Sequence, residues 1–242
     1  WKREKWGFFE KIWFIFNELF ACLISTHLIA DHPQIHKHLK TRASFKKIST
    51  IPYGAKTIRN GNARLLKKYL IKPKKYIIVI ARPEPENLIL TIVKAFSKKK
   101  RGINLLILGK YNKKNVYHKN IIESASNEVK FIGAIYESKI VDALRYFSLF
   151  HIHGHTAGGT NPSLVEALGS GSPILAHNNK FNKWVAGNSA LYFNDVNSLS
   201  KKINLLINNK KILKRLSKNA YKNHNNRFTW SKILKEYENL LR

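Results

Sequence analysis

His153-Gly154-His155-Thr156-Ala157-Gly158-Gly159-Thr160-Asn161-Pro162-Ser163-Leu164-Val165-Glu166 is the stretch on which the fold turns. The apolar run Leu149–His153 that feeds it has the length and composition of a buried strand. Gly158 and Gly159 allow the backbone to approach a ligand closely, and Asn161-Pro162 pairs an N-cap with the favoured first helical residue. A helix that starts there aims its free N–H groups and positive dipole end above the carboxyl end of the strand. Open parallel sheets bind phosphates at that place. Glu166 falls about one turn into the helix, within reach of a sugar hydroxyl on a ligand whose phosphates rest at the cap. The stretch points to a nucleotide.

Outward from it, strand and helix signals alternate. Tyr76–Ala81, Asn104–Gly109, Val129–Gly133, Leu149–His153, Pro173–His177 and Ala190–Phe193 are short apolar runs. Helical patterns such as Leu88–Phe96, Lys139–Phe147 and Leu164–Leu168 lie between most of them. Such alternation predicts an α/β fold, a Rossmann-like parallel sheet covered on both faces, with helical extensions at both ends. The C-terminal extension is Leu199–Asn208, Ile212–His224 and Ser231–Leu241. The polar stretch from Pro52-Tyr53-Gly54 to Gly61-Asn62 is the best boundary.

Residues 6–30 are rich in aromatic and aliphatic side chains, with Trp6, Phe9, Trp13, Phe16 and Phe20 at helical spacing. Asn17, Glu18 and His27 interrupt the run and argue against a membrane span, which needs about 20 apolar residues with few charges. A buried or interfacial helix is favoured, and a helix lying on a membrane stays open.

The 242 residues suffice for one doubly wound core plus something incomplete. A chain that opens on Trp1 and holds no Met is expected to continue upstream. The net charge of +30 comes from 44 basic residues, 34 of them Lys, scattered as in Lys98-Lys99-Lys100 and Lys210-Lys211. Scattered lysines are solvated punctuation, not a phosphate-tracking stripe, so no nucleic-acid partner is expected. An acidic membrane surface or a polyanionic substrate fits the charge better. The single Cys22 excludes an internal disulfide and fits a cytoplasmic setting, peripheral at the inner face of a membrane being the second option.

Other chemistries are disfavoured by the residues. Ala81-Arg82-Pro83-Glu84-Pro85-Glu86-Asn87 follows the first strand where a dinucleotide fingerprint would place its glycines, so neither NAD nor FAD is expected as cofactor. Arg82 instead offers a guanidinium at a strand end, where it takes a phosphate or pairs with Glu84 or Glu86. His151, His153 and His155 alternate and share a face, but no carboxylate or Cys joins them at ligand spacing, and no metal is expected. His155, nearest the glycine turn, is a candidate pocket residue. No nucleophile elbow supports hydrolase chemistry.

Arg82-x-x-Pro85-Glu86, the strand ending at Gly109, Val129-x-Phe131-x-Gly133 and Gly158-Gly159-Thr160-Asn161-Pro162-Ser163-Leu164-x-Glu166-Ala167-Leu168-x-x-Gly171-x-Pro173 together resemble the donor-binding half of retaining GT-B glycosyltransferases. With Ala176-His177-Asn178-Asn179-x-Phe181-Asn182, the pattern is similar to the rhamnosyltransferase-like branch of glycosyltransferase family 4. The resemblance implies transfer of a sugar, rhamnose on this branch, from a nucleotide diphosphate sugar to a glycan or lipid-linked acceptor with retention. It implies that Arg82 and Glu166 act in catalysis. It also implies donor contacts from Arg82, Gly109, Ile135, Tyr136, His155, Gly158, Gly159, Thr160, Asn161, Ser163, Leu164 and Glu166, with Glu166 on the ribose, Arg82 on the diphosphate and Gly133–Tyr136 on the base. Residues 1–51 then resemble the end of an acceptor-binding domain, 52–226 the donor domain and 227–242 a C-terminal helix; such a chain alone is expected to bind donor and turn over little. Three positions depart from the common pattern: Gly158 and Trp184 stand where many relatives have Glu, and Asn87 where many have Lys. A degenerate nucleotide- or anion-binding module is the alternative.

Overall fold

The computed structural model describes residues 6–242; the first five residues of the expected 1–51 segment lie outside the described residues. The chain opens with α1 (Phe8–Ile24), then β1 (His27–Ala30), α2 (Pro33–Lys40) and β2 (Lys47–Thr50). β1 and β2 form a two-stranded parallel sheet, His27 opposite Lys47 and Ala30 opposite Thr50. This small β-α-β unit is absent from the sequence expectations. Its strands are four residues each and its helix is His- and Lys-rich, so no clear apolar period marks them.

The main body follows: β3 (Tyr76–Ile80), α3 (Ile89–Ser97), β4 (Asn104–Leu108), α4 (Val116–Glu123), β5 (Val129–Phe131), α5 (Ser138–Phe147), β6 (His151–His153), α6 (Pro162–Gly169), β7 (Ile174–His177), α7 (Lys180–Ala186), β8 (Ala190–Phe193), α8 (Val196–Asn208), α9 (Lys210–Arg227) and α10 (Trp230–Leu241). All six predicted strands are present, each at or within two residues of its expected ends, in one parallel sheet ordered β5-β4-β3-β6-β7-β8. The expected Rossmann-like α/β architecture is therefore the observed one.

Strand residues alternate between the two faces. Ile77, Val79, Leu105, Ile107 and Ile152 pack with α3 and α8 on one side, and Tyr76, Ile78, Leu106 and Leu108 pack with α5 on the other. A further cluster joins α6, β7, α7 and α9 through Leu164, Leu168, Ile174, Val185 and Ala220. The segment leaving β2 crosses to the C-terminal helices: Ala55 N–H donates to Phe228 C=O at 2.8 Å, and Ala55 C=O lies 3.0 Å from His224 Nε2.

α1 departs from the buried expectation. Among its 17 residues only Cys22 is buried, while Phe9 is 82% and Trp13 64% exposed. The helix is held at its polar side, where Glu18 meets His38 at 2.6 Å and Arg42 at 3.3 Å. No helix among the described residues is long and apolar enough to cross a membrane.

Candidate functional site

The sheet order reverses between β3 and β6. β4 and β5 extend to one side of β3, and β6, β7 and β8 to the other. Two connections that diverge this way leave a crevice outside the carboxyl ends of the neighbouring strands, where ligands of open α/β sheets bind. Two adjoining cavities occupy that place, of about 780 and 500 Å³, and both are lined by Ile80, Ala81 and Arg82 at the exit of β3.

The smaller cavity is built by the glycine turn and α6. Asn161 caps the helix, accepting the Ser163 N–H at 3.0 Å, and the Ser163 hydroxyl donates to Ile80 C=O at 3.1 Å, which ties α6 to β3. Gly158 takes φ +100°, a conformation that disfavours any side chain. Gly159 is needed for a different reason: a Cβ there would sit 2.0 Å from Asp31 Oδ1. Asp31 follows β1 and reaches over the turn. The Thr160 N–H donates to Asp31 Oδ2 at 3.1 Å, and the Thr160 hydroxyl donates to Asp31 C=O. Burial pushes the Asp31 carboxyl above its ordinary range, and the hydrogen bond from Thr160 partly offsets it.

Glu166 lines the same cavity from one turn inside α6 and pairs with Arg145 Nη2. Arg145, on the last turn of α5, is 5% exposed. Its Nε has no hydrogen-bond partner among the described residues. Burial lowers the Arg145 pKa and the Glu166 carboxylate counters that; a guanidinium keeps its proton in either case. A buried cation is costly unless paired, so α5 and α6 are locked together at the carboxylate that faces the cavity.

His151, His153 and His155 do share one face, with successive ring centroids 6.1 Å apart. Burial, reinforced by the Arg145 charge, pushes the His151 pKa down to about 3, and burial holds His153 well below its ordinary value. Both are neutral imidazoles around pH 7. Among the described residues no group of three His, Cys, Asp or Glu is arranged to hold a metal ion. His155 is braced instead: its Nδ1 lies 2.8 Å from Asn87 Oδ1, and the amides of Asn179 and Asn182 each donate to its C=O at 2.9 Å. The Asn87 amide also donates to Arg82 C=O at 2.9 Å. Asn87 thus stitches the β3 exit to the β6 exit.

The larger cavity holds Gly109, Ile135 and Tyr136, with Tyr111, Lys110 and His118. Arg82 is exposed at the seam between the two cavities. The structure therefore gathers the sequence candidates into one continuous crevice in two parts. Arg82, His155, Gly158, Gly159, Thr160, Asn161, Ser163 and Glu166 line the smaller part, and Arg82, Gly109, Ile135 and Tyr136 the larger. Leu164 lines neither and packs in the core beneath α6. Trp184 packs at the foot of the N-terminal unit, 4.6 Å from the His32 ring and 4.4 Å from the Arg227 guanidinium.

Sequence reasoning missed Arg145 and Asp31. A lone Arg in a helix whose other face is apolar reads as solvated, and only the fold places it under Glu166. Asp31 had a weak signal, an acid directly after a short apolar run and before His32-Pro33. Its partner lies 129 positions away, beyond any spacing rule.

Chemically, the crevice offers a cation at its middle, a capped helix end, an anchored carboxylate and an aromatic-lined annex. That set suits an extended ligand with an anionic centre and hydroxyl-bearing ends. Residues 62–223 match the family described as glycosyl transferases group 1, more than half of the chain, and the chain belongs to that family. A search of curated proteins found no match. Among solved structures, the fold is similar to sucrose-phosphate synthase from Thermosynechococcus elongatus, at 18% identity, TM-score 0.80, covering 93% of this chain and 60% of that one. It is also similar to a glycosyltransferase from Rickettsia africae, at 18% identity, TM-score 0.77, covering 92% and 65%. A third is HepE from Anabaena, solved with UDP and glucose, at 17% identity, TM-score 0.79, covering 91% and 64%. The chain thus spans less than two thirds of the length of these GT-B structures.

Proposed function

We propose that this group 1 glycosyl transferase is the donor-binding half of a retaining enzyme that moves a sugar, rhamnose on the strength of the Gly158–Leu164 motif, from a nucleotide diphosphate sugar to a glycan or lipid-linked acceptor. The observation that carries the proposal is the Glu166 carboxylate, anchored on buried Arg145 and facing the crevice at the β3/β6 reversal, with Arg82 at the seam of the two cavities. In this assignment the base lies in the annex by Gly109, Ile135 and Tyr136. Glu166 accepts from the ribose, Arg82 takes the diphosphate, and the Gly158–Asn161 turn with His155 and Ser163 lines the phosphate and sugar end. Leu164 contributes through its backbone and by packing α6.

Transfer needs a leaving diphosphate, and positive groups placed on it stabilise the charge that develops as the sugar departs. Arg82 and the N-terminus of α6 supply that field. A donor phosphate oxygen accepts the proton of the acceptor hydroxyl on the face the leaving group vacates, so no side-chain base is required and positioning does most of the work. Residues 1–51 are assigned to the acceptor-binding side, 52–226 to the donor unit and 227–242 to a closing helix. The small β1–β2 sheet, separate from the main one, supports that division. A cytoplasmic setting at the inner face of a membrane accords with the exposed aromatics of α1.

The experiment is calorimetric titration in EDTA of the chain and its Arg82→Ala variant with UDP, dTDP and the bare nucleosides. Arg82→Ala is expected to weaken diphosphate binding by about 1.5–3 kcal/mol, as for a lost charge-assisted hydrogen bond, and to leave nucleoside binding nearly unchanged. Equal losses for both ligands contradict the diphosphate role of Arg82. Binding that disappears in EDTA and returns with a divalent ion contradicts a metal-independent site.

A further inference from the structure

The glycine pair that suggests a phosphate-binding turn is only half open to a ligand. Around Gly158 a Cβ would meet nothing nearer than His155 Nε2 at 3.4 Å. Gly159 is covered by the Asp31 carboxylate, which any Cβ at 159 would push aside. The anion on this turn therefore belongs to the chain itself, delivered from the N-terminal unit.

A carboxylate is an acceptor-only group with about four lone-pair positions. The hydrogen bonds to the Asp31 carboxylate come from the Thr160 N–H and from its own backbone. The residue lines the 500 Å³ cavity together with Glu166, Arg145, His153 and His155, and it is only partly buried, so acceptor capacity remains toward the cavity. His153 and Arg145 wall the cavity from beneath and are more than nine-tenths buried, while the partly exposed carboxylates of Asp31 and Glu166 face it. A cavity with spare acceptor capacity, walled by packed polar residues, is built for a polar ligand. A second phosphate is disfavoured beside Asp31, because like charges a few Å apart repel strongly at low dielectric. Neutral hydroxyls suit it.

We propose that Asp31 is a sugar-recognition residue: its carboxylate accepts hydrogen bonds from hydroxyls of the transferred sugar, while the diphosphate lies toward Arg82. The cavity is then divided by charge, with the cation at the seam for the anionic centre of the donor and the carboxylate over Gly159 for its neutral end. Asp31 also couples the N-terminal unit to donor binding, since its backbone C=O holds the Thr160 hydroxyl and the adjacent His32 packs on Trp184 and Phe181. This inference rests on the donor-site assignment above.

The test is titration of the 242-residue chain and its Asp31→Asn variant with UDP and UDP-glucose and with dTDP and dTDP-rhamnose. In whichever pair the chain binds, Asp31→Asn is expected to leave nucleoside diphosphate affinity within about twofold and to weaken the nucleotide sugar by about tenfold to a hundredfold. Gly159→Ala, which displaces the carboxylate without removing it, is expected to weaken the nucleotide sugar as well. Thr160→Val, which removes the hydroxyl contact to the Asp31 backbone but keeps the carboxylate, reports on the clasp alone and is expected to retain more sugar affinity than Asp31→Asn. Equal weakening of diphosphate and nucleotide sugar by Asp31→Asn overturns the proposal in favour of a structural clasp. Tighter diphosphate binding by Asp31→Asn overturns it in favour of an internal competing anion. A wild-type chain that binds none of the four ligands overturns the donor-site assignment itself, and this inference with it.

Discussion

α6 and α1 are both apolar helices, and the protein treats them in opposite ways. α6 is eight residues long, with Leu164, Val165, Ala167, Leu168 and Gly169 all buried and its polar residues confined to the cap and to Glu166. α1 is twice as long, and its Phe and Trp side chains stand in solvent with only Cys22 buried. In α6 each apolar residue after Pro162 has its place in the core, so the helix can carry Glu166 at a fixed position over Arg145. In α1 the apolar surface exceeds what the described residues cover, and exposed patches beyond a few hundred Å² mark a surface for another partner. Hydrophobicity in a sequence therefore predicts burial only where the chain itself supplies the cover.

The sharpest way to break this contrast is by truncation. Leu168→Ala, at a fully buried position, is expected to cost about 2–5 kcal/mol in urea unfolding, and Phe9→Ala on α1 to stay within about 0.5 kcal/mol. Comparable losses at both positions would show that α1 is packed in solution and the contrast false.

Acid should act on the strand that joins α5 to α6. His151 and His153 have folded pKa values far below that of an unfolded His, so between those values the unfolded chain binds more protons. Their contribution is complete above about pH 6.5 and is lost as pH falls toward about 3 for His151. Stability should drop by about 2 kcal/mol from pH 7 to pH 5 on account of His151, and His153 adds to the drop in the same direction. His151→Leu should remove its share of that slope in urea titrations at the two pH values. A slope unchanged by the substitution would mean that His151 is solvated.

The smallest effect concerns the cover of α1. Flotation with anionic phosphatidylglycerol vesicles should recover the chain, and Phe9→Ser/Trp13→Ser/Phe16→Ser should weaken recovery on the order of tenfold while leaving nucleotide affinity untouched. Equal flotation of both proteins would assign membrane contact to scattered lysines and not to the aromatic face.

The same contrast explains what could be read in advance. The main sheet was legible because each strand is a compact apolar run bounded by polar or glycine residues, and the α6 cap because Asn161-Pro162 is a local signal. Gly158 was legible as a backbone position, and the grouping of His151, His153 and His155 followed from strand alternation alone. The β1–β2 unit was not, since its pairing of Ala30 with Thr50 is decided by a nonlocal contact between weakly patterned segments. Gly159 was read as room for a ligand, yet the room is taken by Asp31. Arg145 escaped because its partner is on the next helix, and a buried charge leaves no periodic trace. Local chemistry was visible; the charge pairs that join separate elements were not.

The central claim, that the crevice at the β3/β6 reversal is the nucleotide-sugar site, is tested most directly by hydrogen exchange of the chain with and without saturating nucleoside diphosphate, UDP or dTDP. The account predicts slowed exchange in the segments 81–88, 133–136 and 155–166 and unchanged exchange in α1. Protection confined to residues 56–62, which line a separate cavity with Lys139 and Asp142, or spread over the lysine-rich helices with none at 155–166, would contradict it.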